Sequence, residues 1–227
     1  MSVGGALLNL FFPPKCPFCG AVLSRQGICG DCRRMLPWTQ ETERERTLPG
    51  GARCASPLFY EDMVRDGILR FKFSGNAAAA EPLGGLIAEC AAERFPGEFD
   101  TVSWVPVSAR RLRRRGYDQA RLLAEAACRR WDTRPRPLLR KVADNPAQSG
   151  LEGASARRAN VLGVYEAADG VSGRRILLID DIVTTGSTLG EAVRVLRDAG
   201  AAEVVCATAA AARLRPEKPC EGHGKNT

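Results

Sequence analysis

Two adjacent carboxylates, Asp180 and Asp181, close an aliphatic run of Ile176, Leu177, Leu178 and Ile179, and a hydroxyl-rich loop of Thr184, Thr185, Gly186, Ser187 and Thr188 follows them. Paired acids accept hydrogen bonds from hydroxyl groups. A short polar loop entering a helix offers backbone N–H groups to an anion, most often phosphate. Together these residues suit a sugar phosphate. Plain turn and cap chemistry would explain Asp and Thr singly, but not the whole arrangement in register. No Gly-Lys-Ser/Thr follows a glycine at Walker A spacing, so the stretch is not that phosphate loop.

A second set is Cys16, Cys19, Cys29 and Cys32, two C-x2-C knuckles nine residues apart. Four thiolates converging on one cation make a closed tetrahedral structural site, and zinc is its commonest occupant, although spacing alone does not separate zinc from iron. A pair of redox dithiols is the competing reading. Metallation would lower the formal charge of +7 to about +5. A third set is the arginine run Arg110, Arg111, Arg113, Arg114 and Arg115. It suits anions, either a pyrophosphate gripped by guanidinium forks or the backbone of single-stranded nucleic acid. Lys72, between Phe71 and Phe73, reads as a solvated lysine or a phosphate contact.

The elements that must position these groups follow from hydrophobic pattern. The run at 176–179 predicts a buried strand of a parallel sheet, and Leu189, Val193 and Leu196 predict the helix after it. Open parallel sheets take ligands at the carboxyl ends of their strands. Residues 101–107 predict a second strand that delivers the arginine run to the same edge, ahead of a helix capped by Asp118. Further strands are predicted at 58–60, 137–142, 161–165 and 204–208, and helical stripes at 63–71 and 77–95. Residues 39–57 read as a linker or long loop, and residues 144–160 as a lid or binding loop.

The chain therefore divides into a metal module at 1–40 that begins with a short apolar helix, a linker at 41–57, an α/β domain at 58–212 and a disordered tail at 213–227. The apolar fraction of 44% suits a real core. No stretch approaches a membrane span and no signal peptide is evident, so a cytoplasmic protein without stable membrane insertion is expected. The single histidine, His223, lies in the tail, so histidine acid–base chemistry is not expected.

These features together resemble the ComF family of competence-associated phosphoribosyltransferase-like proteins. The resemblance rests on the cysteine knuckles, Phe71-Lys72-Phe73 with Gly75, Val105-Pro106-Val107, Arg115-Gly116-Tyr117-Asp118-Gln119, Gln148 with Arg157 and Asn160, and residues 176–188. It implies a type I phosphoribosyltransferase-like parallel sheet flanked by helices, with a small four-cysteine zinc-ribbon-like module at the N-terminus. It also implies phosphoribosyl pyrophosphate (PRPP) as ligand with Mg²⁺, and structural Zn²⁺. Asp180 and Asp181 would meet the ribose hydroxyls as catalytic residues, and Thr184, Thr185, Gly186, Ser187 and Thr188 would wrap the 5′-phosphate. Ser108, Ala109 and Arg110 take the pyrophosphate-loop position. Arg113, Arg114 and Arg115 are the candidates for nucleic acid. Asp118 stands where the family motif often has Asn, which leaves cap chemistry but not a donor role. Two functions remain: a phosphoribosyltransferase of unknown acceptor, or a non-catalytic competence factor that keeps a PRPP pocket and meets single-stranded DNA or a helicase.

Overall fold

The computed structural model describes residues 13–143 and 163–213. The expected N-terminal apolar helix, the loop at 144–160 with Gln148, Arg157 and Asn160, and the tail beyond Arg213 with His223 lie outside the described residues. In chain order the elements are α1 (Gly30–Met35), β1 (Glu45–Thr47), β2 (Arg53–Ala55), β3 (Leu58–Phe59), α2 (Asp62–Phe73), α3 (Ala80–Arg94), β4 (Thr101–Trp104), α4 (Ala109–Arg115), α5 (Gln119–Arg129), β5 (Leu139–Lys141), β6 (Tyr165–Ala167), β7 (Arg175–Val183), α6 (Ser187–Asp198) and β8 (Glu203–Ala211). No described helix is long and apolar enough to cross a membrane.

The main sheet runs β1-β2-β8-β7-β4, with β3 also on β8, and every pairing except β1–β2 is parallel. Its centre is β7 against β8, from Arg175 opposite Glu203 to Val183 opposite Ala211. Successive side chains of a strand point to opposite faces. Accordingly, Leu177, Ile179, Val205 and Ala207 pack into a core with α2, α3 and α5. Ile176, Leu178, Val204 and Cys206 pack into a second core with α6 and residues near β5 and β6. Both faces are covered, which is why β7 reads as a continuous apolar run rather than an alternating one. β5 and β6 pair antiparallel as a separate small sheet.

Two expectations need correction. Residues 39–57 are not a plain linker, because β1 and β2 form a hairpin whose second strand joins the sheet with Cys54 opposite Cys206. The Pro49-Gly50-Gly51 signal that suggested a loop is the turn of that hairpin, with Gly50 and Gly51 at φ 86° and 81°. Arg213 belongs to the folded body rather than to a disordered tail. Its Nε donates to Glu61 at 2.7 Å, and its guanidinium lies 3.8 Å from the centre of the Phe59 ring.

The N-terminal module shares the core of the larger domain. Cys16, Phe18, Cys32 and Leu36 are buried in the same core as Val64, Ile68 and Phe71 of α2. Gly67 makes that seating possible, since a Cβ there would lie 2.9 Å from Phe18 Cδ1 and 3.0 Å from the Pro17 carbonyl oxygen.

Candidate functional site

β7 carries both acids to its carboxyl end. Because they are consecutive in a strand, they face opposite sides of the sheet. Asp180 lines a small pocket of about 40 Å³ with Thr184, Thr185, Gly186, Ser187, Thr188 and Leu189. The structure thus brings Asp180 together with the whole hydroxyl loop. Asp181 turns to the other face, where its Oδ2 lies 2.9 Å from Lys72 Nζ. Its backbone N–H donates to Asp180 Oδ1 at 2.8 Å.

The loop is shaped by glycine and braced by the hairpin. Gly186 has φ 75°, left-handed backbone that favours glycine, and a Cβ there would sit 2.8 Å from Leu48 Cδ2. Arg46 of β1 donates to the Thr184 carbonyl at 3.5 Å and to the Ala212 carbonyl at 2.7 Å. The Thr185 and Ser187 hydroxyls share a hydrogen bond at 2.9 Å. Gly186 is the N-cap of α6 and has no side chain to satisfy the first-turn amides. The Ser187 amide donates to Thr185 Oγ1 at 3.4 Å, and the positive end of this twelve-residue helix lies at the pocket beside Asp180.

Burial, and then the neighbouring Asp181 carboxylate, push Asp180 up to about 8; the Lys72 ammonium works the other way. A second cation stands close. Arg115, at the end of α4, donates from Nη1 to Gln119 Oε1 at 2.7 Å and stacks 4.8 Å from the centre of the Phe73 ring. Burial lowers its pKa, while the Asp181 charge raises it. Lys72 and Arg115 thus bring two cationic side chains to Asp181, which suits an anionic ligand.

The arginine run is divided by this arrangement. Arg110, Arg111, Arg113 and Arg114 are exposed and have no ion-pair partner among the described residues, whereas Arg115 is turned inward. Ser108 is buried, and its Oγ accepts from Arg111 N as the N-cap of α4; Ala109 and Arg110 open that helix. The segment that follows is a tight turn between two helices. Gly116 ends α4 in left-handed backbone at φ 82°, and Asp118 caps α5 by accepting from Arg121 N at 3.2 Å and from Val107 N at 3.1 Å. Asp118 is an acceptor here, as its departure from Asn requires, and burial raises its pKa. The Tyr117 hydroxyl donates to the Phe71 carbonyl, tying this turn to α2.

Sequence reasoning missed the partnership of Lys72 with Asp181 and the bracing by Arg46 and Leu48. A lysine in the Phe71-Lys72-Phe73 element was the available signal for the first. Nothing local marked the second.

The four cysteine Sγ atoms lie within 4.8 Å of one another, with Cys19 and Cys29 at 3.6 Å. Tetrahedral zinc thiolates stand about 3.8 Å apart, given Zn–S bonds of about 2.3 Å. Burial and then the neighbouring cysteines push the Cys32 thiol far up, so four thiolates coexist only around a cation. The donor set fits zinc. Among the described residues Cys54 is not part of the cluster; it is buried in β2.

The chain matches the "Phosphoribosyl transferase domain" family over residues 109–223 and the "Double zinc ribbon domain" over residues 7–64. It is 30% identical to "Competence protein ComFC" of Bacillus subtilis (strain 168), over 84% of this chain and 74% of that one. It is 31% identical to "DNA utilization protein YhgH" of Escherichia coli (strain K12), over 83% of this chain and 80% of that one. With "Competence protein F" of Haemophilus influenzae it shares 27% identity over 86% of this chain and 95% of that one.

Proposed function

From the premise that this chain belongs to the ComF family, with a phosphoribosyl transferase domain and a double zinc ribbon, we propose that it binds PRPP at the carboxyl edge of β7 and serves DNA uptake or utilisation. One observation carries the ligand: Asp180 shares a pocket with a helix N-terminus and its hydroxyl loop. The loop and the α6 amides hold the 5′-phosphate. Asp180, with Asp181 at the same strand end, accepts from the ribose hydroxyls. Lys72 and Arg115 add positive charge for the pyrophosphate. Mg²⁺, held mainly by the ligand's own phosphate oxygens, would neutralise part of their charge.

If the site turns over, the reaction is displacement of pyrophosphate from the anomeric carbon through an oxocarbenium-like state. The protein's contribution would be positioning and charge stabilisation. An acceptor nucleophile would form the new bond at that carbon as the bond to pyrophosphate breaks. Calorimetry with PRPP and Mg²⁺ tests the pocket: the wild type should bind, and Asp180→Asn with Asp181→Asn should bind at least about tenfold more weakly. No heat from the wild type sinks this reading.

A second reading is favoured by the exposed face of α4. Arg110, Arg111, Arg113 and Arg114 are exposed on one short helix and form a basic surface, which suits single-stranded DNA. Binding should weaken steeply with salt, and replacing Arg113 and Arg114 by Ala should lower the log–log salt slope by about one per lost phosphate contact. An unchanged slope rules out direct contact by this helix.

A further inference from the structure

The cysteine module and the acid pair meet through one helix. Pro17 and Phe18 lie between the first two cysteines, and both are gripped by α2. The Arg70 guanidinium donates to the Phe18 carbonyl at 2.6 Å and to the Pro17 carbonyl at 3.2 Å. The Phe18 ring fills the notch at Gly67. Two residues beyond Arg70 on the same helix, Lys72 reaches Asp181, and each of these side chains is only 13% exposed. At about 1.5 Å rise per residue, Gly67 and Lys72 are roughly 7.5 Å apart along the axis, too short a span for a helix to absorb a displacement by bending. We propose that the four-cysteine module is a positioning part of the ligand site: by seating α2 it holds Lys72 on Asp181, and Lys72 is a binding residue for the anionic ligand.

Three features support this. The ion pair has its 2.9 Å separation between two nearly buried groups, so it is not one of many solvated arrangements a surface lysine samples. The last turn of α2 is pinned as well, by the Tyr117 hydroxyl on the Phe71 carbonyl, with the two rings 5.9 Å apart. Arg115 stacks on Phe73, the residue after Lys72. The last turn of α2 is thus held between the module and the turn at residues 116–118. A shift of a few tenths of an ångström at Gly67 passes into the position of the Lys72 ammonium.

The ligand half of this inference rests on the proposed PRPP site; the positioning half does not, and the experiment separates them. In the ligand-free, zinc-loaded full chain, Lys72 is labelled with an amine-acylating reagent and its rate compared by mass spectrometry with exposed Lys15. Gly67→Ala, whose Cβ collides with Phe18 and the Pro17 carbonyl, and Arg70→Met, which drops both carbonyl bonds, should each make Lys72 react several-fold faster. Asp181→Asn should do the same. Arg70→Lys keeps a donor to the carbonyls and should return Lys72 towards the wild-type rate. Zinc content and circular dichroism of each variant establish that the fold is intact.

Calorimetry with PRPP and Mg²⁺ then reads the ligand half. Lys72→Met, Gly67→Ala and Arg70→Met should weaken binding at least about tenfold, with Lys72→Arg retaining most of the affinity. Equal Lys72 labelling in the wild type, Gly67→Ala and Arg70→Met overturns positioning by the module. Full affinity in Lys72→Met overturns the binding role. A wild type that binds no PRPP removes the proposed ligand, and the labelling comparison still decides the positioning.

Discussion

Asp180 makes a test that needs no ligand. Its folded pKa is raised to about 8 by burial and then by the Asp181 charge. An aspartate in an unfolded chain titrates near 3.9. The folded state therefore holds a proton that the unfolded chain releases between those values, and stability falls as pH rises through that window. The fall is at most about 1.4 kcal/mol per pH unit, or about 3 kcal/mol between pH 5 and pH 7. Asparagine cannot ionise, so Asp180→Asn should be free of this loss. The assay is urea unfolding of wild type and variant from pH 5 to pH 9, zinc-loaded throughout. The variant's stability relative to wild type should grow with pH, most steeply below pH 8, and level off above it. Lys72, Asp118 and Tyr165 also feel the site's charge, and because they remain in both proteins their effect largely cancels in the difference. A relative stability that stays constant within about 0.5 kcal/mol across this range refutes the argument that burial and Asp181 hold a proton on Asp180.

Phe18 offers a test of the shared core. Phe18→Ala should destabilise the whole protein by about 3–5 kcal/mol, since the ring is buried against Val64, Ile68 and Phe71. For the same reason, stripping zinc should lower the unfolding midpoint of the α/β body as well as melting the ribbon; an unchanged midpoint shows the module to be detachable. At the loop, Gly186→Ala forces a side chain into left-handed backbone and against Leu48, costing about 1–2 kcal/mol. PRPP affinity measured on the folded fraction should fall further than stability does. Wild-type affinity in that variant means the loop conformation is not used for binding.

Much of the site was legible because its signals are local. The aliphatic run before Asp180 and Asp181 marks a strand covered on both faces, and the apolar period from Leu189 marks the helix that follows. Asp118 is readable as a cap from its place before Leu122 and Leu123. The hairpin at residues 45–55 was not legible: its strands are three residues each, too short for alternation to register, and its Pro49-Gly50-Gly51 turn looks like a loop. The arginines at 110–115 read as one basic run, but helical geometry turns Arg115 inward and leaves Arg113 and Arg114 outside.

By itself, the sequence determined the chemistry available to this protein: four thiols at metal spacing, two acids before a hydroxyl loop, and a basic segment beside them. Spacing along a chain carries that information because knuckles, strand ends and helix caps are made by neighbours in sequence. The tertiary structure alone decided which groups meet. It placed Lys72 on Asp181, Leu48 under Gly186 and Phe18 in the core of the larger domain. Those contacts join residues far apart in sequence, and the packing of helices against the two faces of the sheet creates them.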